Sequence, residues 1–346
     1  MKEPYASVLI ITYRRSSTIS YVLEGLKKQS YKDFEVIIVV KEPSEEFYEI
    51  IDKYIKDLYI RVLVQDKGFA PEAYDMGIPV CRGQVIAFLD DDAIPKTSWL
   101  EDHVKSFQAN PKLGGVAGND IQARIENGGA IVEIPERKVH PVYLRISSLK
   151  NYCLSRPLSR MNGWYVYFGR DGLAHHHPKF LLKDEVKSCV PSLLFLGANM
   201  SVKKKAIEGL HISGNLVVSG FGFEHLLAYG IIRKGYGIVY NPSPKVMHVV
   251  HEESLGRFSL RPSFAALKDA EYVVAFHMVK AHEKEVSWIG YIIELYLLML
   301  GRILGARNYG FKTSLYRVYG LLYGFIIGVL KDEEGIRNFL THRYQQ

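Results

Sequence analysis

The sequence predicts an α/β fold: a parallel sheet with helices packed on it, then a separate helical region toward the C-terminal end. Three observations predict it. Between Val8 and Asn110, short apolar runs of buried-strand length alternate with segments of helical period. One run, Val85–Leu89, stops abruptly at three adjacent carboxylates, Asp90, Asp91 and Asp92. Past Glu253 the composition shifts to two long apolar stretches, Val286–Gly305 and Leu315–Leu330.

The elements follow in order. Val8–Ile11 reads as the first strand, and Thr12–Ser17 breaks the pattern. Ile19, Val22, Leu23 and Leu26 fall on one helical face, with Ser16 or Ser17 as cap. Phe34–Val40 is the second strand, and Ser44 starts a helix through Phe47, Ile51, Tyr54, Ile55 and Leu58. Arg61–Val64 is the third strand, Ala70–Ile78 a short helix and Val85–Leu89 the fourth strand. Ser98 with Glu101 reads as a capping box for a helix ending at Asn110-Pro111. In such a sheet ligands bind beyond the carboxyl ends of the strands. The polar groups that converge there are Thr12, Tyr13 and Arg15, then Lys41 and Glu42, then Asp66 and Lys67, then the Asp cluster.

Composition bounds the function. The chain has 346 residues, an ordinary apolar share and a net charge of +7, which suits anionic partners. That charge is dispersed and no reader motif appears, so no nucleic-acid partner is expected. No glycine-rich fingerprint follows the first strand, which argues against a dinucleotide cofactor and a P-loop. The three cysteines, Cys81, Cys153 and Cys189, are odd in number and unpatterned, which points to a reducing compartment. The N-terminal apolar run is shorter than that of a signal peptide.

In an extended backbone Asp90 and Asp92 point the same way and Asp91 the other. Two carboxylates on one side of a strand end suit a hard divalent ion such as Mg²⁺ or Mn²⁺. A solvated acidic loop, or a helix start capped by Asp92, is the other reading of the same residues.

The run VLIITYRRSSTISYVLEGLKKQSYKDFEVIIVV resembles the opening of the family 2 glycosyltransferases, which have the GT-A fold, a Rossmann-like nucleotide-sugar-binding architecture. GFAPEAYDMGIPVCRGQVIAFLDDDAIP resembles that family's donor-binding segment and DxD metal motif. FLGANMSVKKKAIEGL and GFGFEHLLAYGIIRKGYGIVYNPSPKVMHVVHEE resemble its acceptor-side half. The likeness spans residues 6–254. It implies a catalytic domain over 1–254, with a donor-nucleotide half at 1–120 and an acceptor half at 121–254, followed by C-terminal amphipathic and apolar helices over 255–346.

The resemblance implies an inverting, metal-dependent transfer of a sugar from a UDP- or GDP-linked donor to a hydroxyl. Asp92 would hold Mn²⁺ or Mg²⁺, with Asp90 sharing the ion or lying near the donor ribose. Thr12, Tyr13, Arg15, Glu42, Lys67, Asp75, Asp90 and Asp91 would line the donor site. The chain departs from the family where Lys41 stands in place of a common acidic residue, with Glu42 one place later, and where Tyr74-Asp75 replaces an Arg-Asn pair. Glu224 falls at the family's catalytic carboxylate, with an acidic first-turn helix residue as the other reading. His225 and Asn199 would face the acceptor, although Gly197–Asn199 also reads as an ordinary turn. His248 or His251 would complete the metal shell, or pair with a carboxylate. His175–His177 reads as a loop near the acceptor.

Val286–Gly305 is long enough to span a bilayer but contains Glu294 and Arg302. An acidic residue at mid-span costs about 2.5–3.5 kcal/mol. Gly320, Gly324 and Gly328 form a small-residue stripe on the second, shorter run. Arg302, Arg307, Lys312 and Arg317 lie in and around the connection between the runs, so a monotopic or re-entrant placement on the cytoplasmic face of a membrane is expected. Packing of these helices on the catalytic domain, or in a homo-oligomer interface, is the soluble alternative. Membrane placement implies a glycan or lipid-linked acceptor. Two other readings stay open: a non-catalytic scaffold of the same fold, and a sugar nucleotidyltransferase.

Overall fold

A computed structural model describes residues 3–134, 155–159, 165–177, 186–195, 197–212, 222–250, 262–306, 310–332 and 334–335. Strand β1 (Ala6–Tyr13) is apolar on both faces, so it lies inside the sheet. It pairs in parallel with β2 (Phe34–Lys41) and β4 (Val85–Asp90), and β2 pairs in parallel with β3 (Ile60–Gln65). Helices α1 (Ser16–Lys27), α2 (Glu45–Tyr54) and α3 (Ala70–Gly77) fall between these strands in the chain. Ile19, Val22, Leu23 and Leu26 are buried on α1, as their spacing predicts. Side chains alternate along the strands into two cores: Leu9, Ile37 and Phe88 enter one, and Val8, Ile38 and Leu89 the other.

The sheet continues past β4 through antiparallel β11 (Asn199–Lys203), then β6 (Leu113–Ile125), β12 (Gly237–Val249) and β10 (Val190–Pro191). Short β5 (Ala93–Pro95) pairs with β12 and β7 (Ile131–Glu133) with β6, giving ten strands among the described residues. A separate hairpin joins β8 (Val166–Phe168) and β9 (Ala174–His176). Two helices flank β11 and β12: α5 (Lys204–Ile207) and α6 (Phe223–Arg233).

Two caps differ from expectation. Ser44 caps α2 by accepting from Phe47 N–H at 3.2 Å, but α1 starts at Arg15 without a side-chain cap. Before α4 (Trp99–Ala109), Ser98 Oγ donates to Asp102 at 2.8 Å and caps no backbone N–H. Glu101 turns instead to Ser30 and Lys105, at 2.7 Å each, so the capping box does not form.

Among the described residues the C-terminal region is three helices: α7 (Pro262–His282), α8 (Trp288–Leu304) and α9 (Phe311–Leu330). Leu173, beside β9, packs with Val273, Phe276, Tyr291, Leu295 and Leu321. The Ser287 N–H donates to Arg170 O at 2.6 Å. The glycine stripe faces α7: a Cβ at Gly320, Gly324 or Gly328 would collide with Ala266, Ala270 or His277. Arg302 and Arg317 turn inward, not toward a headgroup layer. Both chelate the buried Asp269, with contacts of 2.9–3.0 Å from Arg302 and 2.9 Å from the Arg317 Nε. Glu294 is buried as well. The polar residues of the two apolar runs therefore hold the three helices together. Their outer faces stay apolar and exposed, with Ile289, Leu304, Phe311 and Leu330 each at least 70% accessible. α9, at 20 residues, is the one described helix long and apolar enough to cross a membrane by length and composition.

Candidate active site

The carboxyl ends of β1, β2, β3 and β4 lie in one row, because the strands are parallel and in register from Tyr13 through Lys41 to Gln65. At the end of β4 the chain reverses into β5, which pairs antiparallel with β12 and sets Ala93 opposite His248. That register brings His248 to the Asp cluster. One ligand atom from each of Asp90, Asp92 and His248 lies within 4.8 Å of the others.

His248 is held from both sides. Its Nδ1 is 2.9 Å from Asp120 Oδ2, and its Nε2 is 3.1 Å from Asp92 Oδ1. Burial would lower its pKa, but hydrogen bonds to Asp120 and Asp92 outweigh that and push it up to about 11. Asp120 fixes the imidazole so that Nε2 faces the two aspartates, the arrangement that orients a histidine ligand toward a metal. Two carboxylates and an imidazole, partly buried, fit Mn²⁺ or Mg²⁺ with room for donor oxygens. Asp120 was not identified from the sequence. Its signal there is a carboxylate that follows the small and apolar run Leu113–Gly118.

Asp91 points away from this trio. It accepts from Thr12 Oγ1 at 2.6 Å and from Arg15 Nη1 at 3.1 Å, and the same Arg15 nitrogen bonds Asp92. Thr12 and Arg15 therefore meet Asp91 and Asp92 at the strand ends. Burial raises Asp91 to about 6 despite Arg15. Burial, then repulsion from Asp92, holds the Asp90 carboxyl well above its ordinary range.

Glu224 opens α6 behind Gly222, whose φ of 85° is a left-handed conformation that suits glycine. Burial pushes the Glu224 carboxyl up to about 7 against the backbone donors at the helix start and the charge of Lys268 on α7. Tyr74 is buried within electrostatic reach of both this carboxylate and the Asp cluster. Its ring stacks on Phe223 at 4.6 Å and meets Phe88 at 5.4 Å. Burial, then Asp90 and Glu224, holds its phenol protonated. The residue that departs from the family pattern is thus a packed core residue beside both acidic groups.

Other predicted residues take varied places. Glu42 pairs with Arg14, at 2.6 Å from its Nε. Lys67 is exposed on the loop after β3, and Tyr13 is exposed at the end of β1. Asp75 accepts from Ile212 N–H at 2.7 Å, which ties α3 to the acceptor-side half. Next to Glu224, His225 has its Nε2 buried without a hydrogen bond among the described residues. Burial, with His175 nearby, lowers its pKa to about 4 and keeps it neutral. Asn199 does not face a cleft. It is fully buried, its Oδ1 accepts from Trp99 at 2.8 Å, and its Nδ2 donates to Asn119 O and Pro244 O at 2.9 and 3.1 Å. Its role is to join β11 to its neighbours, so the acceptor contact predicted for it is corrected. His175 contacts Asp171 at 2.6 Å on the β8–β9 hairpin. His251 lies outside the described residues.

Comparison with known proteins places this geometry. Residues 7–137 match the family profile "Glycosyl transferase family 2". The chain is 30% identical over 119 residues to a glucosyl-dolichyl phosphate glucuronosyltransferase of Haloferax volcanii, covering 33% of this chain and 38% of that protein. It is 34% identical over 104 residues to glycosyltransferase GlyG of Streptococcus pneumoniae, covering 30% and 35%. The chain thus spans little more than a third of the length of these relatives. Among solved structures, the mannosyltransferase PcManGT of Pyrobaculum calidifontis, in complex with GDP-Man and Mn²⁺, superposes with a TM-score of 0.50 at 15% identity, over 95% of this chain and 88% of that one. GalNAc-T7 with UDP, GalNAc and Mn²⁺ superposes at 0.52 and 15% identity, over 89% and 59%. These superpositions establish the GT-A fold.

Proposed function

The chain carries a family 2 glycosyltransferase domain on a GT-A fold, and on that premise we propose that it transfers a sugar from a nucleotide diphosphate donor to an acceptor hydroxyl with inversion. The observation that carries this reading is the convergence of Asp90, Asp92 and His248 at the carboxyl ends of the parallel strands. These three would hold Mn²⁺ or Mg²⁺. Bound there, the ion would offset the charge that gathers on the departing diphosphate.

The chain's own residues divide the remaining work. Arg15, held against Asp91 and Asp92, presents a guanidinium at the same strand ends, where phosphate oxygens would lie. Glu224 takes the proton from the acceptor hydroxyl as that oxygen attacks the anomeric carbon. A carboxylate with a pKa near 7 is a stronger base than an ordinary glutamate and is still about half ionised at neutral pH. Neutral His225 beside it can accept from or donate to acceptor hydroxyls.

The acceptor we propose is lipid-linked, and the chain rests on a membrane as a monotopic protein. The exposed apolar faces of α8 and α9 support this, as does the relative that acts on a glucosyl-dolichyl phosphate. The inward Arg302–Asp269–Arg317 cluster turns one charge of α8 and one of α9 away from those faces. We place the chain at the cytoplasmic face, consistent with the free thiols of Cys81 and Cys189. The test is transfer from radiolabelled UDP- and GDP-sugars to polyprenyl-phosphate-linked glycans in vesicles, with Mn²⁺, with Mg²⁺ and with EDTA. Transfer that needs the metal and a vesicle-borne acceptor is expected. Donor binding without turnover over a broad acceptor panel would favour the non-catalytic scaffold.

A further inference from the structure

Cations of the C-terminal helices reach the proposed catalytic centre, and the chemistry above does not use them. Lys268 on α7 is half-buried and lies within electrostatic reach of Glu224. The next residue, Asp269, is buried and takes both Arg302 of α8 and Arg317 of α9. Two guanidiniums on one carboxylate leave a net positive charge, and both lie within electrostatic reach of Lys268. Burial, then Arg317, holds the Lys268 ammonium below its ordinary range against the pull of Asp269 and Glu224. Two other carboxylates are buried on these helices. Glu271 follows Lys268 by about one turn but leaves α7 on the side away from Asp269, and Glu294 lies about two turns before Arg302 on α8.

Arg302 is placed to meet an anion. Asp269 accepts from its Nε at 3.0 Å and from its Nη2 at 2.9 Å. These bonds fix the guanidinium plane and leave three of its five N–H groups without a partner among the described residues. The Arg302 side chain is 27% accessible, so those groups can be reached. Beside it on α8, Ile303 and Leu304 are exposed, and on α9 the exposed Leu315 and Tyr316 precede Arg317. The apolar faces of α8 and α9 thus begin where the cations converge. All of these residues lie beyond the stretch, 7–137, that matches the family profile.

A fixed guanidinium beside an ammonium fits a phosphate, and an apolar strip fits a hydrocarbon chain. We propose that Arg302 and Lys268 bind the phosphate of a polyprenyl-phosphate-linked acceptor, with the chain laid along α8 and α9 and a sugar hydroxyl at Glu224. Because Lys268 is within electrostatic reach of Glu224, the attacking hydroxyl and the phosphate belong to one short headgroup. The inference rests on the glycosyltransferase reading and deepens it, since it names the anionic group of the acceptor and the side chains that select it.

The experiment is calorimetric titration of farnesyl phosphate, farnesol and inorganic phosphate into the full chain in detergent micelles, and into Lys268→Gln, Lys268→Arg and Arg302→Gln. Thermal unfolding establishes that each variant is folded, and binding of UDP and GDP with Mn²⁺ reports on the donor side. The unmodified chain binds farnesyl phosphate about tenfold or more tighter than farnesol or inorganic phosphate. Lys268→Gln and Arg302→Gln each weaken farnesyl phosphate by about tenfold or more and leave farnesol within about twofold. Lys268→Arg, which keeps the charge, retains the preference for the phosphate. If Arg302→Gln unfolds because Asp269 loses a partner, Lys268→Gln decides. Unchanged farnesyl phosphate binding by folded Lys268→Gln overturns the inference, and so does an equal loss for farnesol. An equal loss of binding to phosphatidylglycerol vesicles would make the pair a general headgroup site and also overturns it. Those results leave the glycosyltransferase reading standing. Failure of both nucleotides to bind the folded, unmodified chain overturns both.

Discussion

The parallel sheet buries carboxylates at both of its ends, and the two ends treat them in opposite ways. At the amino ends, Glu35 of β2 is 1% exposed. It accepts from Ser7 Oγ at 2.8 Å, from Arg82 N–H and Nε at 2.7 and 3.0 Å, and from Arg61 at 3.2 Å. Burial alone would raise its pKa, yet these donors hold it below the ordinary range. At the carboxyl ends, Asp90, Asp91 and Glu224 are all held above theirs, with burial as the first cause of each. Glu35 has donors enough to stabilise its charge. The carboxyl-end groups have donors too, Thr12 and Arg15 for Asp91 and backbone N–H groups for Glu224, but burial outweighs them, as in groups poised to receive a cation or a proton. Under the proposed function, one cluster serves the fold and the other serves the chemistry.

Substitutions at the two ends break the comparison in opposite directions. The largest effect is expected for Glu224→Gln, which removes the proposed base. Transfer falls by about 10²–10⁴-fold while thermal unfolding shows the fold intact. The mirror experiment is Glu35→Ala. It strands Arg82, Arg61 and Ser7 without their acceptor and costs about 3–5 kcal/mol in denaturant unfolding. Transfer per folded molecule stays near that of the unmodified chain. If Glu35→Ala removed activity from folded protein, the division between the ends would be wrong.

Asp120→Asn sharpens the comparison within the carboxyl end. It keeps the shape but frees His248 to rotate, and Mn²⁺ affinity falls by about 10–100-fold in a direct binding titration. The smallest effect is a pH dependence. Glu224 has a raised pKa in the folded chain, so the stability it contributes is present at pH 4 and is lost as pH climbs toward about 7. Glu224→Gln therefore raises the unfolding temperature by about 2–4 °C at pH 8 and leaves it unchanged at pH 4. The transfer rate of the unmodified chain rises through pH 7 as the carboxyl ionises.

What the sequence reveals depends on the distance over which each interaction acts. Strands β1 to β4 and their helices were legible because apolar period is a local property, as in Val85–Leu89 or Ile19–Leu26. The shared side of Asp90 and Asp92 was legible for the same reason. Asn199 was misread because its partners, Trp99 and Pro244, are remote in sequence, and a polar residue looks alike in a turn and in a buried lattice of hydrogen bonds. Asp120 was missed because only the β6–β12 pairing brings it to His248. Arg302 and Arg317 count in the sequence toward a basic, membrane-facing connection, because the sequence does not show Asp269 waiting across the helix interface. The glycine stripe was recognised as a close-packing face, but its partner, α7, emerged only from the fold.

The central claim is that Asp90, Asp92 and His248 form a metal site serving a nucleotide diphosphate. Its most direct test is an electron paramagnetic resonance titration of Mn²⁺ into the full chain, with and without UDP or GDP, for the unmodified protein and for Asp92→Asn. The account predicts that the unmodified chain binds one Mn²⁺, more tightly with one of the nucleotides, and that folded Asp92→Asn loses this binding. Undiminished Mn²⁺ binding by Asp92→Asn, or none by the unmodified chain with either nucleotide, would contradict it.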